Sequence, residues 1–139
     1  MVIAERRECA IGYFEWDKPG LLKFTAVKSE VTLEDVREYC KLQDEIFESM
    51  EGKFVFVFDA TVGKWVSGDI RIEWGKRNKI TEAKFKDRYV RAYLIIPSMV
   101  MKMILKGINM VSNPTVPQSI YKTIDEGLAA AEKEVASWG

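Results

Sequence analysis

Two stretches hold the residues with the most chemistry to offer. In the first, Asp59 ends the apolar run Phe54-Val55-Phe56-Val57-Phe58, and Lys64, Trp65 and Ser67 follow in the loop. Open α/β sheets present their ligand crevices at the carboxyl ends of strands, so a carboxylate, a cation, an indole and a hydroxyl there would orient an amphipathic ligand. The competing assignment gives Asp59 to the loop's own turn and Trp65 to sealing the core. The intervening Ala60-Thr61-Val62-Gly63 does not match a phosphate-cradling loop. The second stretch is Pro97 to Val111. Val100, Met103, Ile104, Gly107, Ile108 and Val111 form one helical stripe, yet Met99, Met101, Leu105 and Met110 cover other faces, and only Lys102 and Lys106 break the apolar surface. Methionine suits surfaces that accept irregular apolar partners. The helix therefore points to a lipid or acyl pocket, a partner surface or a membrane. The alternative is that both faces are buried, by the sheet and the segment Ser112-Asn113-Pro114-Thr115-Val116-Pro117, or by a second copy in a homodimer.

Composition removes whole reaction classes. The chain has 139 residues and no histidine, so Ser-His-Asp and Cys-His nucleophile systems, His metal ligands and His proton shuttles are excluded. Cys9 and Cys40 form no CxxC, so neither a zinc site nor a redox motif follows from them, and the expectation is two reduced thiols in a cytoplasmic protein. No pair of carboxylates can be placed across a pocket. No metal and no cofactor is expected, and an enzyme is poorly supported. The charged start, Met1 to Glu8, stands where a signal peptide would carry its apolar stretch. Leu94 to Val111 is interrupted by Pro97, Lys102, Lys106, Gly107 and Asn109, so it falls short of a membrane span.

The charges balance, with 21 Lys+Arg against 21 Asp+Glu, which argues against a nucleic-acid partner. The balance hides two poles. Glu34, Asp35, Glu38, Asp44, Glu45, Glu48 and Glu51 outnumber Arg37 and Lys41 between residues 32 and 51. Arg71, Lys76, Arg77, Lys79, Lys84, Lys86, Arg88 and Arg91 outnumber Glu73, Glu82 and Asp87 between 71 and 91. A basic segment followed by an over-apolar helix has the ingredients for an anionic membrane surface. Solvated helix faces, or pairing of two subunits, would use the same charges.

These residues need a scaffold, and the chain reads as one domain over residues 1–139. Residues 10–16 and 21–27 are strand-like around Asp17-Lys18-Pro19-Gly20, an opening hairpin. Thr32 and Asp35 form a capping box for a helix with Leu33, Val36, Cys40, Phe47 and Met50 on one face, ending at Gly52. The run 54–58 does not alternate, which marks a central strand covered on both sides. Ser67 is placed to cap a helix over 67–84, the least marked element, since Ile70, Ile72 and Trp74 also alternate. Residues 88–96 are a strand, and Pro97 suits the first turn of the helix after it. Ile120-Tyr121 is a short edge strand, and Thr123 with Glu126 caps a last helix carrying Ile124, Leu128, Ala131, Val135 and Trp138. The order β-β-α-β-α-β-α-β-α defines an α/β protein: a mixed β-sheet with helices packed on it.

That order, with Ile120-Tyr121-Lys122-Thr123-Ile124-Asp125-Glu126-Gly127-Leu128 as its strand-then-helix ending, resembles the STAS-like domains, in the SpoIIAA-like branch that is compared with CRAL-TRIO lipid carriers. The resemblance spans most of the chain. It implies no catalysis, and either binding of a hydrophobic or anionic ligand or partner switching as in anti-sigma-factor antagonists. In the antagonists a phosphorylated Ser precedes a Gly at the start of the helix after the central strand, and Ser67-Gly68 stands in the matching place. A phosphate there would meet free N–H groups and the positive helix end. The Asp-Ser part of the motif is missing, with Trp65-Val66 before Ser67, and Asp69 adds a like charge. The expectation is a non-catalytic binding domain for a hydrophobic or amphipathic ligand, or an anionic membrane surface. Its site residues would be Asp59, Lys64, Trp65, Met99, Met101, Lys102, Leu105 and Lys106. A regulatory module switched at Ser67 is the alternative.

Overall fold

The described residues, 5–138 of a computed structural model, form strands β1 (Glu5–Cys9), β2 (Gly12–Lys18) and β3 (Leu21–Ala26), helix α1 (Leu33–Ser49), β4 (Phe54–Asp59), α2 (Gly68–Phe85), β5 (Tyr89–Ile95), α3 (Met99–Ser112), β6 (Gln118–Tyr121) and α4 (Ile124–Ala136). The start of the chain that bears on the signal-peptide reading lies partly outside them, at residues 1–4. The α/β class with a mixed sheet stands, but an extra strand, β1, precedes the expected hairpin, so the order is β-β-β-α-β-α-β-α-β-α. Its residues Glu5, Arg6, Arg7 and Glu8 are all exposed. With no buried face it has no alternating pattern to read, and its charges blunt the sheet edge.

The sheet order is β1-β2-β3-β4-β5-β6. The first two pairings are antiparallel and the last three parallel. The β2–β3 turn uses Pro19 and Gly20. Gly20 has φ +82, which is left-handed backbone that a side chain resists. Each parallel step moves one place in the same direction, so right-handed crossovers put α1, α2 and α3 on one face. The packing agrees. Phe14, Leu22, Phe24, Phe54 and Phe56 face residues of those three helices, whereas Leu21, Val55, Val57, Tyr93 and Ile95 are covered by α4 through Leu128, Ala131, Val135 and Trp138. The central strand β4 is therefore buried on both sides, as its unbroken apolar run requires.

Thr32 completes the capping box of α1: its Oγ accepts from Asp35 N at 3.1 Å, and Asp35 Oδ2 accepts from Thr32 N at 3.0 Å. Lys28 donates to the same carboxylate and holds Asp35 below the usual carboxylate range. Asp thus does the work usually given to Glu. The expected helix over 67–84 forms as α2. Pro97 stands before the cap of α3 rather than in its first turn, because Ser98 takes the capping position and accepts from Met101 N at 3.1 Å. None of the described helices is long and apolar enough to cross a membrane.

Candidate ligand site

A cavity of about 110 Å³, partly open to solvent, lies between the sheet and the helices on its α1–α3 face. Its floor is Phe56, Phe58, Ala92 and Leu94. Its walls are Tyr39 and Gln43 from α1, Trp74, Asn78 and Glu82 from α2, and Met101, Ile104, Leu105 and Ile108 from α3. The lining is mainly apolar, and three rings meet edge to face along one side: Tyr39 with Trp74 at 5.6 Å, Tyr39 with Phe58 at 5.8 Å, and Phe58 with Trp74 at 6.0 Å. Most polar groups on the wall are already engaged. Tyr39 donates its hydroxyl to Gln43 Oε1 at 2.6 Å, Thr81 donates to Asp44 at 2.7 Å, and Asn109 and Gln118 bond each other. The room is of the order of one ring, since an apolar cavity of ~150 Å³ holds benzene. An acyl chain does not fit it in this conformation.

Of the expected site residues, Met101 and Leu105 line the cavity, and the others do not. The reason is the rotation of α3. Its buried residues are Ile104, Ile108 and Ser112, with Met101 and Leu105 packed against the core, whereas Val100 and Met103, expected in the core stripe, are exposed with Met99 and Met110. Lys106 is exposed and Lys102 half-buried on the same helix. The outer face of α3 is thus the methionine face, and the inner one carries the cavity. Met99→Ser should change stability by less than about 0.5 kcal/mol, as at other exposed positions. Met101→Ser should cost about 1–2 kcal/mol, part of what a fully buried methionine carries. Urea unfolding of the two variants tests the rotation, and equal losses would contradict it.

The Asp59 loop closes on itself. Asp59 Oδ1 accepts from Thr61 N at 3.0 Å and from the Thr61 hydroxyl, so the carboxylate makes the loop's own turn. Lys64 and Trp65 are exposed, Trp65 at 55%, with the Arg71 guanidinium 5.3 Å from its ring. Trp65 does not seal the core; the neighbouring Val66 does, and it is buried. The strand order never reverses, so the sheet has no switch point of the kind that opens a crevice beside this loop. The two expected stretches do meet, since Met101 presses against Gly63. Ser67 occupies the N-terminal position of α2, but its hydroxyl makes no capping bond and donates instead to Asp69 Oδ1 at 2.5 Å. That bond holds the Asp69 carboxyl below its ordinary range. An anion is already present where a phosphate on Ser67 would sit.

The two charge poles face each other within one chain. Arg37 of α1 pairs with Glu73 of α2 at 3.0 Å, and Lys84 of α2 with Glu48 of α1 at 3.8 Å. Arg77 also reaches Glu73, Arg88 donates to Met50 O, and Arg91 pairs with Glu134. Cys9 and Cys40 are unbridged, and burial pushes the Cys40 thiol up to about 12, which keeps it protonated and unreactive.

Sequence reasoning missed Tyr39, Trp74, Asn78, Glu82 and Tyr89 as wall residues. Tyr39 and Trp74 carried the one available signal, aromatic rings with a polar atom on the inner faces of helices.

A single sheet that grows in one direction, with three helices on one face and the last on the other, is a SpoIIAA-like fold. The crystal structure of an uncharacterised protein from the DUF3478 family with that fold, from Shewanella loihica PV-4, matches with a TM-score of 0.54 at 11% identity, covering 94% of this chain and 93% of that one. No family model and no curated protein matches the sequence.

Proposed function

We propose that the chain is a non-catalytic binding domain for a small hydrophobic or amphipathic ligand, held in the cavity beneath α2 and α3. The observation that carries this reading is the cavity itself: a concave, mainly aromatic and aliphatic space with a few placed polar groups. An anionic membrane surface has less support, because several cations of the basic segment are paired inside the chain. The outer methionine face of α3 would be its contact.

Benzene is the direct probe. In a methyl NMR titration, the expected result is saturable shifts at Leu94, Ile104, Leu105 and Ile108, lost in Ala92→Leu, which fills the floor. An absence of shifts at saturating benzene, or shifts confined to exposed residues, would refute the reading.

A further inference from the structure

The cavity wall contains a charge that its apolar character does not explain. Glu82 is 9% exposed. Its Oε1 accepts from Thr115 N and Val116 N, both at 2.8 Å, and from the Thr115 hydroxyl at 3.3 Å. This clasp pins the connection from α3 to β6, the segment that sequence places as a cover for the apolar helix. The clasp needs an acceptor and not a charge, so a glutamine oxygen would serve it equally. Among the described residues, Oε2 receives no hydrogen bond and no Lys or Arg pairs with Glu82. All three hydrogen bonds fall on Oε1, and Oε2 is not a fully buried atom, so it keeps an accessible lone pair that a donor entering from outside could meet.

The surroundings say what would complete it. Tyr39, Phe58 and Trp74 line the same cavity, and aromatic faces carry negative potential. The Tyr89 phenol also lines it, and its pKa is raised by burial and, secondarily, by Glu82. An anion would be repelled by both the carboxylate and the rings. A neutral hydrocarbon would use the rings and leave the carboxylate bare. A cation uses both.

We infer that the cavity takes a small organic cation, a primary or methylated ammonium with a compact hydrocarbon body, its nitrogen at Glu82 Oε2 and its body against Tyr39, Phe58 and Trp74. The assignment rests on the cavity being a ligand site. A pair of probes of equal shape separates the two ideas: tert-butylammonium and tert-butanol, titrated by NMR into the full chain and into Glu82→Gln. The ammonium is expected to bind about tenfold more tightly than the alcohol, the ratio that one hydrogen bond to a charged group supplies. Glu82→Gln should erase that preference while its unfolding midpoint stays near that of the parent chain, because the amide oxygen keeps the clasp. Equal binding of the two probes, or a preference that survives in Glu82→Gln, overturns the cation assignment and leaves an apolar site. Binding of benzene with neither tert-butyl probe overturns it as well. Failure of all three removes the cavity reading with it. Were Glu82→Gln not to fold, the two probes on the unaltered chain would still decide.

Discussion

Phe47→Ala should destabilise the protein by about 3–5 kcal/mol, the range for emptying a buried aromatic site. The ring is fully buried and touches four others, Phe54 at 4.6 Å, Tyr89 at 5.1 Å, Phe56 at 5.4 Å and Phe85 at 5.5 Å. Those partners come from β4, β5 and α2, so one α1 side chain ties four elements together. Flat, rigid neighbours cannot collapse into the space, and each lost aromatic pair adds about 0.5–1.5 kcal/mol beyond buried area. Urea unfolding should show a lower midpoint with an unchanged slope, and Phe47→Leu a smaller loss. A loss from Phe47→Ala under 1 kcal/mol, smaller than about one buried methylene plus its void, would refute the claim that this ring joins the layers.

Gly75→Leu should be nearly as damaging, at about 3 kcal/mol, the upper part of the usual overpacking range. A Cβ at Gly75 would lie 2.6 Å from Val111 Cβ and 2.7 Å from Ile108 O, and the second of these is backbone that cannot turn aside. Helices α2 and α3 must then separate along the seam that roofs the cavity. Gly75→Ala tests the balance on a smaller scale, because alanine favours a helix by about 1 kcal/mol over glycine and the steric term opposes it. Gly68→Ala is the control: its Cβ would meet nothing nearer than an Arg71 nitrogen at 3.7 Å. A gain in stability at Gly68 with a loss at Gly75 is expected. Equal gains at both would show that the seam has slack.

The legible parts of the fold were those where one physical signal acts alone. Thr32 and Asp35 mark a helix start by hydrogen bonding between near neighbours, and Phe54 to Phe58 mark a doubly covered strand by the absence of polar residues. The phase of α3 was not legible, because a helix apolar on nearly every side has no preferred stripe. Whether Met101 or Met103 points inward is decided by the sheet and by Gly63, not by spacing. For α2 the difficulty was opposite: Ile72 and Ile80 are exposed while Glu82 is buried, so hydrophobicity misreports its inner face. Strand β1 hid because a fully solvated edge selects no apolar residue. The cavity was invisible for a different reason. Its wall draws on every described element from α1 to β6, and no local pattern encodes that meeting. Of the expected site only Met101 and Leu105 belong to it. In the Asp59 loop the residue types that could meet a ligand are the same ones that make tight turns, so spacing alone does not separate the two uses.

The monotone strand order also dictates how the protein emerges during synthesis. Each strand pairs with the one made just before it, so the sheet grows by addition at one edge, and the described strands are joined in turn by two hairpin turns and three single crossovers. The α1–α3 face is sealed step by step as each crossover docks. The other face is not. Val55, Val57, Tyr93 and Ile95 wait for α4, which follows the last strand. A nascent chain halted before Ile124 therefore has one finished side and one bare hydrophobic side, and that bare side is where a ribosome-associated chaperone would hold it.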